Sequence, residues 1–281
     1  TEDVRYPVAM DTGTFVVFIL IWITGNVFKG FFDLHGNRIS DHFYSAALTE
    51  CNSLTAIVPV ENNEKSSYPV LWLLPPAGYD HTAWQRHTAV EDLADELGII
   101  IVMPDLKLSY GLDMIHGFAY FQMLTKELPE MVADYFPADL GFQMIAGVKE
   151  GGYTALNAAL SVPGQYHMAA SYSCGSLTDE VFDPELDKQL DNAFGATDLR
   201  TLNGTDKDLK MLIQTVKDHN MALSLEYSEK DDYKASSALL ADCILKSSFS
   251  NRSVRVQKEA LTWSKWAEAL KTDVKNALKQ L

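Results

Sequence analysis

The chain has 281 residues, 47% of them hydrophobic, and 38 acidic against 23 basic side chains give it a net charge of -15. That length and apolar content support a large core without covalent staples, while the negative charge argues against nucleic acid or an anionic membrane surface as a partner. Cys51, Cys174 and Cys243 are dispersed and lack metal-ligand spacing, so no disulfide framework, metal site or cofactor is expected, and no glycine-rich phosphate or dinucleotide motif argues otherwise.

In chain order, the first signal is the apolar run Phe15 to Ile23, too short for a bilayer crossing of about 20 residues. The acidic start Thr1-Glu2-Asp3 lacks the basic leader of a signal peptide. Thiol usage and that missing leader point to a cytoplasmic protein without a transmembrane helix, with a membrane-proximal or secreted setting left open by the apolar run. A β-hairpin is expected, with Thr24-Gly25-Asn26 turning the chain into Val27 to Phe32 and a further turn at Asp33 to Asn37. An uncleaved membrane-proximal or signal-like segment, and a helix or partner-covered element, are the alternatives. Residues 1–36 are therefore read as a hairpin extension and 37–281 as the main domain.

Ile39 to Leu48 and Ser53 to Val60 read as antiparallel strands, followed by a polar loop at Glu61 to Ser67. Pro69 to Leu74 and Ile99 to Met103 are continuous apolar runs, as strands buried on both faces of a parallel sheet require. Helices are expected at His87 to Leu97, Phe118 to Tyr135, Glu150 to Leu160 and from Ser264 onward, the last with a solvated face of Lys265, Glu268, Lys271, Asp273 and Lys275. Strands are expected at Phe142 to Ala146, His167 to Tyr172, Met221 to Tyr227 and Val254 to Gln257, with an acidic insertion over the sheet edge at 177–215. The alternation, without repeats, predicts an α/β fold with a mostly parallel central sheet flanked by helices.

The run Met144-Ile145-Ala146-Gly147-Val148-Lys149-Glu150-Gly151-Gly152 has the form of a nucleophile elbow, in which a strand turns sharply into a helix between small residues. Lys149 stands at the position of the nucleophilic serine. Four blocks in order carry a wider resemblance: Phe43-Tyr44-Ser45 with Ala47-Leu48; Tyr68 to Leu71 through Gly78-Tyr79-Asp80-His81-Thr82-Ala83-Trp84; Val102-Met103-Pro104-Asp105 through Tyr110, Asp113-Met114, Gly117, Tyr120 and Glu127-Leu128-Pro129; and the elbow. Together they resemble the tributyrin-esterase and S-formylglutathione-hydrolase group, the esterase D-like family, from about Phe43 to the C-terminus.

The resemblance implies the α/β-hydrolase fold, ester hydrolysis by a serine, aspartate and histidine in that order, and a dimer or tetramer as the default assembly. Carried over residue by residue, the serine position is Lys149 and the histidine position is Leu261, before Trp263 and Trp266. All seven histidines lie at or before His219. Asp231 or its neighbour Asp232 is the remaining acid. The oxyanion loop reads Pro75-Pro76 where the family has His-Gly, which removes a backbone N–H, leaving Ala77 and Glu150 as candidate amide donors and His81 and Trp84 as candidate pocket neighbours. Tyr110, Asp113, Met114 and Tyr120 are either cleft or core residues, and Ser173-Cys174-Gly175-Ser176 has no histidine after Asp231 or Asp232 to serve as a base in the family's order.

Loss of the serine or histidine lowers turnover about a million-fold, because the triad acts as a unit. The expectation is therefore a catalytically inactive esterase homologue that works by binding. Its cleft is expected to be filled by an ion-pair network around Lys149 or to hold a small acidic ligand. The alternatives are an enzyme using Lys149 as an unorthodox nucleophile on an ester or carbonyl compound, and an interaction protein using its N-terminal segment. For Lys149 itself, pairing with Asp231, anion capture at the helix start and a solvent-directed side chain all remain open.

Overall fold

A computed structural model describes residues 15–17, 20–23, 26–29, 31–35, 38–59, 66–182, 187–217 and 220–281. Its strands are β1 (Phe15–Val17), β2 (Leu20–Ile23), β3 (Asn26–Lys29), β4 (Phe31–His35), β5 (Arg38–Ser45), β6 (Glu50–Ile57), β7 (Tyr68–Leu74), β8 (Ile100–Pro104), β9 (Ala138–Val148), β10 (Tyr166–Tyr172), β11 (Ala222–Ser228) and β12 (Arg252–Gln257). The α-helices are α1 (Ala83–His87), α2 (Val90–Leu97), α3 (Tyr120–Gln122), α4 (Leu128–Tyr135), α5 (Glu150–Ser161), α6 (Asp187–Phe194), α7 (Leu209–Thr215), α8 (Lys234–Lys246) and α9 (Trp263–Leu278).

Ten strands form one sheet in the order β1-β4-β5-β6-β8-β7-β9-β10-β11-β12. From β8 to β12 every neighbouring pair is parallel, and from β1 to β6 and across to β8 every pair is antiparallel. The apolar runs explain the centre: every residue of β7 and of β8 is buried. Val70, Trp72 and Leu74 enter one apolar cluster while Leu71 and Leu73 enter the other, the two-residue alternation of a strand covered on both faces. α5, α6, α7 and α8 contribute to the first cluster, and α1, α2 and α9 to the second.

β7 is the point where the connections reverse. It is followed by β8 on one side and paired with β9 on the other, so the loops leaving the carboxyl ends of β7 and β9 diverge around a crevice, where open α/β sheets place their sites.

The expected hairpin is present as β2 paired antiparallel with β3, from Leu20↔Lys29 to Ile23↔Asn26; Thr24 and Gly25 lie outside the described residues. The expected turn at Asp33 to Asn37 is corrected in part, since Asp33, Leu34 and His35 continue β4 in register with Ser40, Ile39 and Arg38, and Gly36 and Asn37 lie outside the described residues. The helix expected over His87 to Leu97 begins only at Val90, as α2, and His87 instead closes the short α1, which was not expected. Thr88 ends α1 in extended backbone (φ -143°) while its hydroxyl donates to the Trp84 carbonyl at 2.5 Å.

The helix expected over 118–135 runs from Tyr120 to Tyr135 with a π-turn at Met123–Glu127. Pro129 offers no N–H to the carbonyl four residues back, and the Gln165 side chain fills the vacancy by donating to the Thr125 carbonyl at 3.0 Å. At the end of the π-turn, Glu127 accepts the Ser45 hydroxyl at 2.5 Å and the Ala46 amide at 2.6 Å, which joins two of the sequence blocks described above. The acidic insertion does carry helices, but Leu190, Phe194 and Leu209 share a cluster with Tyr153 and Leu156 of α5, so it packs on that helix rather than over a sheet edge. No helix among the described residues is long and apolar enough to cross a membrane.

Candidate active site

Lys149 sits alone between the end of β9 and the start of α5 with φ 50° and ψ -128°, a left-handed conformation that a long side chain adopts only under constraint. The constraint is the close crossing of strand and helix. A Cβ on Gly147 would meet the Gly151 carbonyl oxygen at 2.2 Å, and one on Gly151 would meet the Pro75 carbonyl oxygen at 2.2 Å. Behind them, a Cβ on Gly152 would reach Ser171 Oγ at 2.3 Å. The Lys149 amide donates to the Tyr172 carbonyl and its carbonyl accepts from the Gly152 amide, both at 2.8 Å.

The Lys149 ammonium reaches Asp232, at 3.4 Å, and the two side chains are 39% and 80% exposed. So open a pair contributes at most about 1 kcal/mol. Asp231, the partner expected first, is instead turned inward on its own loop, where a carboxylate oxygen accepts the Ser228 amide at 2.8 Å.

Glu150 closes the other side. One carboxylate oxygen accepts the Ala77 amide at 3.1 Å and the other accepts the Tyr233 hydroxyl. Three loops meet in this bridge: those following β7, β9 and β11. Burial first, and then the Glu150 charge, push the Tyr233 phenol far above its ordinary value. The same two causes raise Tyr110 to about 12, so both phenols keep their protons at any physiological pH. The space left between Pro75, Pro76, Ala77, Leu106, Lys107, Tyr110, Glu150, Gly151 and Thr154 is a cavity of about 10 Å³, room for about one water molecule.

Leu261 is 9% exposed and belongs to the apolar cluster of Trp84, Trp266, Ala269 and Leu270. Nearby, Trp263 stacks on His87 (ring centroids 4.8 Å apart, 11° between planes) and meets Trp84 and Trp266 edge-on at 5.3 Å each. Leu261 also borders an open cavity of about 300 Å³ with Glu226, Arg255 and Gln257. There the Arg255 guanidinium lies between buried carboxylates. It donates to Glu226 from Nε and to both Asp273 oxygens at 2.8 and 2.7 Å. Asp273 also accepts the Tyr172 hydroxyl at 2.9 Å, and Glu226 the Gln257 amide at 2.9 Å. Burial opposes the Arg255 charge, but these hydrogen bonds and charges outweigh it and hold its pKa above the usual range. Asp273 thus leaves the solvated face expected for α9, where Lys271 and Lys275 pair with Glu96.

The remaining candidates divide. His81 shares a hydrogen bond of 2.8 Å with Thr55 Oγ1, and burial lowers its pKa against the pull of Asp80 and Asp105. Trp84 is 1% exposed, its indole N–H donating to the Leu74 carbonyl at 3.0 Å. Both are held by the scaffold. Asp113 accepts the Gln122 amide at 3.0 Å, Tyr120 is a core residue at 3% exposure and Met114 packs against that core, whereas Tyr110 does line the residual cavity. Ser173, at φ 62°, accepts the Trp266 indole N–H at 3.0 Å, and burial raises the thiol of Cys174 well above its normal value. Tyr233 escaped the sequence reading, since nothing in its local pattern ties it to a residue 83 positions away. Among the described residues no cluster of three or more His, Cys, Asp or Glu side chains is arranged to hold a metal ion.

Comparison with known proteins finds a matching family model, curated relatives and solved structures of similar fold. Residues 45–277 match the model of the family described as "Putative esterase". An S-formylglutathione hydrolase of Paracoccus denitrificans is 29% identical over 127 residues, 37% of this chain and 46% of that relative, so the match spans less than half of its length. Among solved structures, the fluorophosphonate-binding serine hydrolase F of Staphylococcus aureus superposes with a TM-score of 0.73 at 21% identity, covering 85% of this chain and 97% of that one. An S-formylglutathione hydrolase from Agrobacterium tumefaciens gives 0.74 at 17% identity, with 89% and 98% covered.

Proposed function

Because the chain belongs to the "Putative esterase" family and has the α/β-hydrolase fold, we propose that it is a noncatalytic member of that family, acting by binding rather than by ester hydrolysis. The carrying observation is the elbow itself. Its strained backbone presents an ammonium paired with Asp232 at the place where the family resemblance puts a nucleophilic hydroxyl. A protonated amine has no lone pair to attack a carbonyl carbon. The position assigned to the general base holds Leu261, a side chain with no proton to exchange, packed among tryptophans. Asp231, bound to its own loop, has no imidazole to orient.

Of the two contents expected for the cleft, the filled version has the better support. The network that fills it centres on Glu150 rather than on Lys149, since Glu150 binds Ala77 and Tyr233 together and leaves about 10 Å³. A homo-oligomer, as the resemblance implies, is part of this proposal.

The test is hydrolysis of p-nitrophenyl acetate and butyrate by the purified protein and by Lys149→Ala, with fluorophosphonate labelling of both. We expect no labelling and identical background rates. Turnover that disappears in Lys149→Ala would show lysine chemistry and end the noncatalytic reading.

A further inference from the structure

We propose that the Glu150 carboxylate is an intramolecular occupant of a preserved oxyanion site, so that the cleft is shut to external anions by a side chain of its own elbow. This deepens, and rests on, the noncatalytic reading of the same cleft.

The donors that would polarise a carbonyl in such a fold are an amide from the loop after the strand at the switch point and the amide of the residue following the nucleophile position. In this chain the first is Ala77. Its N–H is not spare: it donates to Glu150 Oε2 at 3.1 Å. The second is the amide of Glu150, the first residue of α5, in the turn where helix amides have no partner within the helix and the dipole favours negative charge. A carboxylate oxygen on the Ala77 amide stands in chemically for the oxyanion of a tetrahedral intermediate, or for one oxygen of a bound carboxylate.

Two further features show that the arrangement is built rather than incidental. The loop carrying Ala77 is held against the elbow so closely that a Cβ on Gly151 would collide with the Pro75 carbonyl at 2.2 Å. The second Glu150 oxygen is anchored by the Tyr233 hydroxyl from the loop after β11. The carboxylate is thereby fixed in place, and the space beside it is about 10 Å³. An acetate-sized anion cannot enter without displacing it. Pro75 and Pro76 lack an N–H, but the Ala77 amide that follows them keeps its own and uses it on Glu150.

The experiment has two arms. In the first, ¹⁵N-labelled Glu150→Ala and the unmodified chain are titrated with sodium acetate while the Ala77 amide resonance is followed. A saturable shift in Glu150→Ala and none in the unmodified chain supports the proposal. An Ala77 resonance in Glu150→Ala that ignores acetate overturns it. In the second arm, Lys149→Ser, Leu261→His supplies a hydroxyl able to displace fluoride from a fluorophosphonate. Labelling is compared in that background alone, with Glu150→Ala added, and with Glu150→Gln added. The expected result is a gain on the order of 100-fold for Glu150→Ala, the scale of one oxyanion donor. Glu150→Gln, which keeps an acceptor on Ala77, should gain little. Full-rate labelling with Glu150 still in place would refute the occupant. Ester turnover by the unmodified chain would defeat the noncatalytic reading without touching the acetate response, so the two failures are separable.

Discussion

Replacing Arg255 with methionine preserves most of the stem and removes the guanidinium that lies between Glu226 and Asp273, each 5% exposed. Breaking a buried ion pair by deleting one partner destabilises by about 3–5 kcal/mol, because the surviving charge is left without compensation. Here two carboxylates survive, but each keeps one hydrogen bond, Asp273 from Tyr172 and Glu226 from Gln257, which favours the lower end, about 3 kcal/mol. At roughly 2–4 °C per kcal/mol for a domain of this class, the melting temperature should fall by about 6–12 °C. Urea unfolding at pH 7, followed by tryptophan fluorescence, measures the free energy directly. Adding Glu226→Gln and Asp273→Asn to Arg255→Met should recover most of the loss, since the stranded charges are then gone. A loss below about 1 kcal/mol, or a triple variant no better than the single one, would mean that the guanidinium is not what makes these carboxylates tolerable.

Asp41 is 3% exposed with a carboxylate oxygen lacking a partner, and burial, opposed by His42, raises its pKa from 3.8 to about 6. A raised carboxyl pKa means that the folded state holds the proton longer than the unfolded chain, so stability falls as pH rises between about 3.8 and 6 and then levels off. Asp41→Asn should therefore stabilise by up to about 3 kcal/mol at pH 7 and by almost nothing below pH 4; a pH-independent difference between the two proteins would contradict this. Gly151→Ala should lower the melting temperature and broaden or shift the Ala77 amide resonance, because its Cβ cannot coexist with the Pro75 carbonyl. A fully stable variant with an unperturbed Ala77 signal would show that the two loops are not in contact.

Much of the sheet was legible because burial on both faces leaves a direct mark, and the runs at β7 and β8 needed no context beyond themselves. The elbow was legible for a similar reason: three glycines around one position are what a strand and helix in near contact demand. Boundaries that depend on a single hydrogen bond were not. The break at Thr88 turns on a hydroxyl reaching Trp84, and the unbroken helix across Pro129 turns on Gln165 supplying a donor from a distant segment. α8 left a weak periodic signal and was not anticipated. In the site, identities were readable but partners were not. Sequence put Asp231 first with Asp232 as its neighbour, and only the fold turns the first inward and the second toward Lys149. The Glu150 bridge was invisible for the same reason, since both of its donors arrive from other loops.

The backbone at Lys149 is strained although its side chain ends in an open ion pair. That torsion is therefore a property of the crossing between β9 and α5 and not a device maintained for a nucleophile. Position 149 behaves as a socket, shaped by its glycine neighbours and indifferent to the head group it carries. Exchanging the head group at that position should therefore leave the crossing of strand and helix unchanged, because the close contacts that set it belong to Gly147, Gly151 and Gly152.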